Sequence, residues 1–265
     1  MNRLIENYNR LLGESRPSTF RYLYDSINWK NRLIVLKGAR GVGKTTMLLQ
    51  HIANAFEDTT KALYVSADHI WFANHSLIDL AEYHYTHGGT HLFIDEIHKY
   101  PNWQQEIKNI YDSFPHLNLI VTGSSMLRIE HALGDLSRRC KEYTMRGLSF
   151  REYLKLEGIA DWPVLSLEEI LQRHTQIAAK LTGQAKVLGH FDNYLRHGYY
   201  PFYIEEGNGF EERLERVINT VLNEDIPAVA KVEYDTIYKL RQLLAIFSEQ
   251  SPYTLNVSAL ARTLE

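Results

Sequence analysis

The sequence predicts an α/β fold built on a parallel sheet and extended by an all-helical segment. Three observations carry that prediction. Short β-rich apolar runs alternate with helical patterns through the first half, which is how a parallel sheet covered by helices on both faces reads. A glycine-rich loop stands directly between one such run and one such helix. After about residue 147 the strand pattern stops and only helical periodicities remain.

Taken in order, Leu4, Ile5, Tyr8, Leu11 and Leu12 share one face of an N-terminal helix, with Arg3, Glu6, Asn7 and Arg10 between them. That pattern is amphipathic and is not a signal-peptide core. Strands are expected at residues 33–37, 62–66, 92–95, 117–122 and 142–145. Between them Leu48, Ile52 and Phe56 make one helical face, and Trp103, Ile107, Ile110 and Tyr111 make another, with Asn102 as its N-cap. Further on, Ser149-Phe150-Arg151-Glu152 and Ser166-Leu167-Glu168-Glu169 have capping-box spacing and mark two helix starts. Phe210, Leu214, Val217, Ile218 and Val221 form a later helical face, and Ile237, Leu240, Leu244 and Phe247 another. A turn near Pro252 then leads to a short helical pattern over 256–264. This last pair resembles the first two helices of a helix-turn-helix or winged-helix unit. The third helix does not follow before residue 265, so the sequence reads as a truncated chain or as one with an incomplete last domain. The expected organisation is a core with its N-terminal helix over 1–147, a helical lid over 148–228 and a partial winged-helix segment over 229–265.

Composition narrows the function classes. The 29 Lys and Arg against 32 Asp and Glu give a net charge of −3 over 265 residues, so no global field draws the chain to nucleic acid or anionic lipid. Cys140 is the sole cysteine, which excludes an intramolecular disulfide framework and a multi-cysteine zinc site. No apolar run approaches the roughly 18 residues of a membrane span, and a cytoplasmic location is the expectation. His84, His87 and His91 flank Gly88 and Gly89 before a strand without an acidic partner at zincin spacing, so they read as loop histidines. Trp29, Trp71, Trp103 and Trp162 read as packing residues and not as base-stacking platforms.

The chemistry is concentrated in the loop. Gly38-Ala39-Arg40-Gly41-Val42-Gly43-Lys44-Thr45-Thr46 satisfies G-x-x-x-x-G-K-[ST] between the strand at 33–37 and a helix, the context this phosphate-binding motif requires. Gly38, Gly41 and Gly43 permit backbone conformations and close approach that let successive N–H groups, that of Val42 among them, face phosphate oxygens. The helix starting near Lys44 adds the positive end of its dipole. Lys44 is the expected charge on the β and γ phosphates, Thr45 a hydroxyl ligand to magnesium and Thr46 an α-phosphate contact. Arg40 is read either as a solvated loop residue or as a further phosphate contact. ATP with Mg2+ is thus the expected ligand, and the lack of an N/T-K-x-D string favours adenine over guanine.

Two adjacent carboxylates, Asp95 and Glu96, end the apolar run 92–94, where the C-terminal strand ends should converge on the nucleotide. Asp95 is the expected metal partner and Glu96 the expected base for an attacking water. Such a pair suits a hydrolase, whereas a small-molecule kinase must keep water out. At the end of the next strand Thr122 is the first choice, and Ser124 the second, to touch the γ phosphate and the water.

With these pieces placed, the chain resembles the AAA+-like ATPases of the archaeal-ATPase and STAND-related branch of P-loop proteins. The likeness covers about residues 1–260. It rests on the loop at 38–46, on 92–101 (Leu-Phe-Ile-Asp-Glu-Ile-His-Lys-Tyr-Pro), on Thr122 to Ser125, on Asp135 to Arg139, on Leu148 to Tyr153 and on Gly198 to Pro201. The resemblance implies a five-stranded sheet in the order 5-1-4-3-2, a helical lid, a winged helix and magnesium-dependent ATP hydrolysis. It implies that Arg138 or Arg139 reaches a γ phosphate in the same chain or a neighbour. It also implies that Pro201 approaches the nucleotide from the lid, although two tyrosines separate Gly198 from Pro201 where many relatives have Gly-x-Pro. A helix stop supplied by Gly198 is the equal alternative.

The functional expectation is an ATPase. Its alternatives are a slow STAND-like switch that signals to a protein partner and a DNA-associated regulator acting through the winged helix. ATP and ADP, an unidentified protein partner and a homo-oligomer are the associations this kinship suggests, with no membrane partner. DNA binding would belong to a longer chain. Without a recognition helix and with negative net charge, this one is expected to bind duplex DNA weakly or not at all.

Overall fold

The computed structural model describes residues 1–14, 19–123, 136, 138–184, 186–227, 232–249 and 254–264. Two compact units emerge, Met1–Gly207 and Asn208–Glu265. The expected turn near Pro252, the second-choice Ser124 and Asp135 lie outside the described residues.

In the first unit, β1 (Leu33–Lys37), β2 (Ala62–Ser66), β3 (His91–Asp95), β4 (Asn118–Gly123) and β5 (Lys141–Thr144) form one sheet in the order β2-β3-β4-β1-β5. Every adjacent pair is parallel. Read from the other edge this is 5-1-4-3-2, the order the family resemblance implies. Runs such as Leu33-Ile34-Val35-Leu36 and Leu92-Phe93-Ile94 are buried without alternation, so both faces of the sheet are covered. Cover comes from α1 (Asn2–Glu14), which packs on α3 (Lys44–Ala55) and on β2, and from α4 (Leu77–Thr86) packed on α5 (Trp103–Ser113). The short α2 (Tyr22–Ser26) precedes β1. At the edge, β5 is the exposed strand, tied to β1 by an ion pair of 2.8 Å between Lys37 and Glu142.

Of the three helix starts expected from capping residues, two follow the local chemistry. Ser149 and Glu152 exchange the two hydrogen bonds of a capping box ahead of α6 (Phe150–Leu156). Ser166 and Glu169 do the same ahead of α7 (Leu167–Gln184). Asn102 does hold the N-cap position of α5, but its side chain makes no cap hydrogen bond. Its backbone is left-handed at φ 51°, a conformation asparagine tolerates, and its carbonyl accepts the amides of Gln105 and Glu106 instead. After α8 (Val187–His197) and α9 (Tyr203–Glu206) the first unit ends. Rings of Phe150, Tyr153, Phe191 and Tyr194 pack α6 against α8.

The second unit is helical. α10 (Phe210–Thr220) runs into a π turn, Val221–Asp225, which packs on α11 (Tyr234–Glu249) and on α10 itself. α12 (Val257–Leu264) packs on α11, its start capped by the Asn256 side chain, which accepts the Ala259 amide at 3.0 Å.

A buried histidine makes the first unit sensitive to acid. His51 on α3 stacks on Trp29 with centroids 3.7 Å apart and shares a hydrogen bond of 3.1 Å with the Tyr24 hydroxyl. Burial, aided by the nearby charge of His91, pushes its pKa down to about 4. Burial lowers those of His84 and His91 as well. A base whose folded pKa lies below its unfolded value binds protons preferentially in the unfolded chain. Stability is therefore complete above the unfolded pKa of about 6.5 and falls as pH drops below it. Urea unfolding at pH 7 and pH 5 should show a loss near 2 kcal/mol attributable to His51, and His51→Gln should flatten the dependence by that amount. An unfolding free energy unchanged between the two pH values would contradict this.

Candidate nucleotide site

The site forms where β1, β3 and β4 end. After Lys37 the chain turns through Gly38, which lies so close to the end of β5 that a Cβ would sit 2.2 Å from the Met145 carbonyl oxygen. Gly41 and Gly43 hold φ of 84° and 97°, in the left-handed region that glycine enters without strain. Gly43 is the N-cap of α3, so that helix begins at Lys44 with its amide end on the loop. Lys44 is only 5% exposed, and its Nζ donates to the carbonyls of Gly38 at 2.9 Å and Ala39 at 3.0 Å. The ammonium thus lies over the loop's own backbone. Val42 is buried, Thr45 and Thr46 are exposed at the start of the helix, and Arg40 is half-buried.

Across from the loop, Asp95 ends β3 and is 2% exposed. Its Oδ2 accepts from the Thr45 hydroxyl and from the Tyr64 hydroxyl, the latter at 2.9 Å. Its Oδ1 accepts from the Thr122 hydroxyl on β4 and from the Glu96 amide at 3.0 Å. Three expected site residues, Thr45, Asp95 and Thr122, therefore meet in one cluster. Burial, the Asp95 charge and the hydrogen bond to it all raise the Tyr64 pKa, so Tyr64 stays a neutral donor at neutral pH.

Glu96 has a left-handed backbone, φ 51° and ψ 36°. A non-glycine residue held there stores on the order of 1–3 kcal/mol, and such strain clusters at functional sites. The Glu96 carboxylate is about one-quarter exposed and lies 3.4 Å from Nε2 of His98, which is itself buried.

The segment after α8 reaches the loop. A Cβ on Gly43 would lie 3.7 Å from Cγ of Pro201, and one on Gly41 would lie 2.8 Å from the Phe202 ring and 3.7 Å from that of Tyr200. Pro201 is thus brought to the phosphate loop. Gly198 follows the last residue of α8 but at φ −74°, so no left-handed stop calls for glycine there. The reason is space: a Cβ would sit 2.7 Å from both Tyr153 and Tyr194. Arg139 forks onto Asp112 at the end of α5 through Nε and Nη2, at 3.2 Å each, and Arg138 is exposed.

Sequence reasoning missed Arg21, Tyr64 and His98. Arg21 joins the loop to the residues after β5 with its guanidinium; no motif contains it, and only the fold brings residue 21 to 42 and 152. Tyr64 sits in the apolar run of β2, where a tyrosine reads as packing. His98 lies within the quoted string after Glu96 and could have been flagged by that spacing. The histidines that sequence weighed as a metal cluster are otherwise engaged: His84 Nε2 meets the His91 carbonyl at 3.0 Å and His87 Nδ1 the Tyr83 carbonyl at 2.7 Å. Among the described residues no group of three or more His, Cys, Asp or Glu side chains converges to hold a metal. Nor is any described helix long and apolar enough to cross a membrane.

Residues 30–154 match the family model described as AAA domain, a family of AAA-like P-loop ATPases. The match takes in the whole sheet, the loop and the acidic pair. Curated relatives include the uncharacterized protein MJ1637 of Methanocaldococcus jannaschii, 28% identical over 254 residues, covering 90% of this chain and 53% of the relative. A second, uncharacterized protein MJ1544 of the same organism, is 25% identical over 221 residues, covering 80% of this chain and 45% of the relative. The chain spans about half the length of these relatives. Among solved structures, C. elegans PCH-2 aligns at TM-score 0.33 and 17% identity over 63% of this chain and 49% of that one. The S. cerevisiae Hsp104–ADP complex aligns at TM-score 0.39 and 19% identity over 56% of this chain and 25% of that one.

Proposed function

We propose that this chain binds ATP with magnesium at the 38–46 loop and hydrolyses it. The observation that carries the reading is the convergence of Thr45, Thr122 and Tyr64 on the buried Asp95, beside the strained Glu96. The donor set fits the group: a carboxylate and a hydroxyl are hard oxygen ligands, and magnesium characteristically takes one or two of these from protein and the rest from phosphates and water. The left-handed glycines and the helix start fit phosphates.

Bound magnesium would supply positive charge that offsets the charge developing on the phosphates. In our reading Thr45 and Asp95 would hold it, and the hydrogen bonds from Tyr64 and Thr122 fix the Asp95 carboxylate for that role. Lys44 leaves the carbonyls of Gly38 and Ala39 for the β and γ phosphates, and Thr46 serves the α phosphate. Glu96 accepts a proton from water as its oxygen bonds to the γ phosphorus, while the bond to the β–γ bridging oxygen breaks and ADP leaves. In the same reading the Thr122 hydroxyl, which donates to Asp95 at rest, orients that water. Arg138, or Arg139 released from Asp112, serves a γ phosphate of the same chain or a neighbour in this reading.

Phosphate release from ATP, dependent on magnesium, tests the proposal. Lys44→Ala should weaken ATP binding by roughly ten- to a hundredfold, the cost of a lost charged hydrogen bond. A wild-type protein that neither binds nor cleaves ATP at millimolar Mg-nucleotide overturns it. The packing of Tyr200, Pro201 and Phe202 on the loop favours a second reading, in which the lid segment reports bound nucleotide to a protein partner and turnover is slow. Stoichiometric retained ADP would support that reading, and fast multiple turnover would remove it.

A further inference from the structure

Arg21 belongs to no motif, yet its guanidinium is built into the framework of the phosphate loop. The residue is 8% exposed. Nη1 donates to the Val42 carbonyl at 2.7 Å, inside the loop. Nη2 donates to the carbonyls of Arg146 at 2.8 Å and Gly147 at 2.9 Å, in the segment that leaves β5. Nε donates to Glu152 Oε1 at 2.7 Å on α6. Glu152 is the same carboxylate that accepts the Ser149 amide in the capping box at 2.9 Å and the Tyr22 amide at 3.0 Å. One planar fork therefore fixes three separate pieces of chain around the loop, a task for which an ammonium has the wrong shape.

The contact with Val42 bears on anion binding. In a trans peptide the C=O and N–H point in opposite directions. Holding the Val42 carbonyl outward on Arg21 turns the Gly43 N–H the other way, into the loop. Gly43 forms one side of this peptide and tolerates either sign of φ, so on that side little steric resistance opposes its rotation. A rotated peptide would present a carbonyl oxygen to the phosphates. We infer that Arg21 is a positioning residue, resting on the ATP-binding reading above, that locks the 42–43 peptide in its donor orientation and so sets affinity for the nucleotide's phosphates. Glu152 balances its charge and ties that lock to the first helix after the sheet.

A buried ion pair with only a structural role would behave differently, and two variants separate the cases. Arg21→Gln combined with Glu152→Gln removes both buried charges together, the change such a pair tolerates best. Arg21→Lys keeps a charge opposite Glu152 but loses the fork. Both are titrated with N-methylanthraniloyl-ATP and magnesium, melted thermally, and assayed for KM and kcat beside wild type and Lys44→Ala. Each variant is expected to fold, to bind the probe roughly tenfold or more weakly, and to show KM rising by more than kcat falls. Wild-type affinity in either folded variant overturns the inference. So does a failure of both to fold, since a structural role then accounts for the residue. Binding lost in Lys44→Ala but retained in the double variant sinks this inference alone, whereas a wild type that binds no probe sinks the ATP-binding reading with it.

Discussion

Glu96→Gln is expected to slow phosphate release at saturating ATP by on the order of 10²–10⁴-fold, the worth of a positioned general base, while ATP binding stays close to wild type. Glutamine keeps the size of the side chain and can still hydrogen-bond a water, but it cannot take up the proton that the attacking water sheds. The backbone at Glu96 is left-handed and its amide is held by Asp95, and neither feature depends on the carboxylate, so the substitution should leave the loop's geometry intact. Binding should not weaken, because the change removes a negative charge near bound phosphates. The contact with His98 at 3.4 Å softens when the carboxylate becomes an amide, and that cost is small beside the catalytic one. Single-turnover phosphate release with a parallel nucleotide titration checks both halves. An unchanged rate would place the base elsewhere, and a lost affinity would make Glu96 a binding residue instead.

The parts of this molecule that were legible in the sequence are the parts encoded locally. The loop string names its own backbone requirements, and Gly41 and Gly43 do take positive φ. The strands β1 to β4 are largely apolar runs, which a sheet covered on both faces demands, and they appear within one residue of the expected bounds. Both capping boxes form because each needs only a serine and a carboxylate three residues on. The strand order is different: periodicity does not contain it, and it came through likeness to a family.

What stayed illegible depends on tertiary approach. Arg21 and Glu152 are separated by 131 residues, and nothing local marks either as the other's partner. Tyr64 carries the same sequence signature as a packing tyrosine, and only the pairing of β2 beside β3 puts its hydroxyl on Asp95. A conformational stop is one of the two readings the sequence leaves open for Gly198, yet its backbone is ordinary, and two tyrosine side chains explain it. Conformation can be guessed from a glycine's neighbours in sequence, but crowding by Tyr153 cannot.

Asp95→Asn should reduce magnesium-dependent turnover by roughly 10³-fold or more, since the metal's charge stabilisation is worth several kcal/mol and each 1.36 kcal/mol is tenfold. The fold should survive it. Asp95 accepts four hydrogen bonds, from Thr45, Tyr64, Thr122 and the Glu96 amide. Only the last donor cannot reverse its role, so the asparagine oxygen turns to Glu96 while its NH2 faces the hydroxyls of Thr45 and Tyr64, which can rotate to accept. By contrast, Asp95→Ala leaves the buried Tyr64 hydroxyl without its acceptor, at a cost of about 1–3 kcal/mol. The two variants thus separate the metal-binding role from the structural one. Asn should melt near wild type without nucleotide and lose the extra stabilisation that Mg-ATP gives, and Ala should melt lower under both conditions. Turnover in Asp95→Asn equal to wild type across a magnesium titration would mean that the buried carboxylate organises hydroxyls and holds no metal.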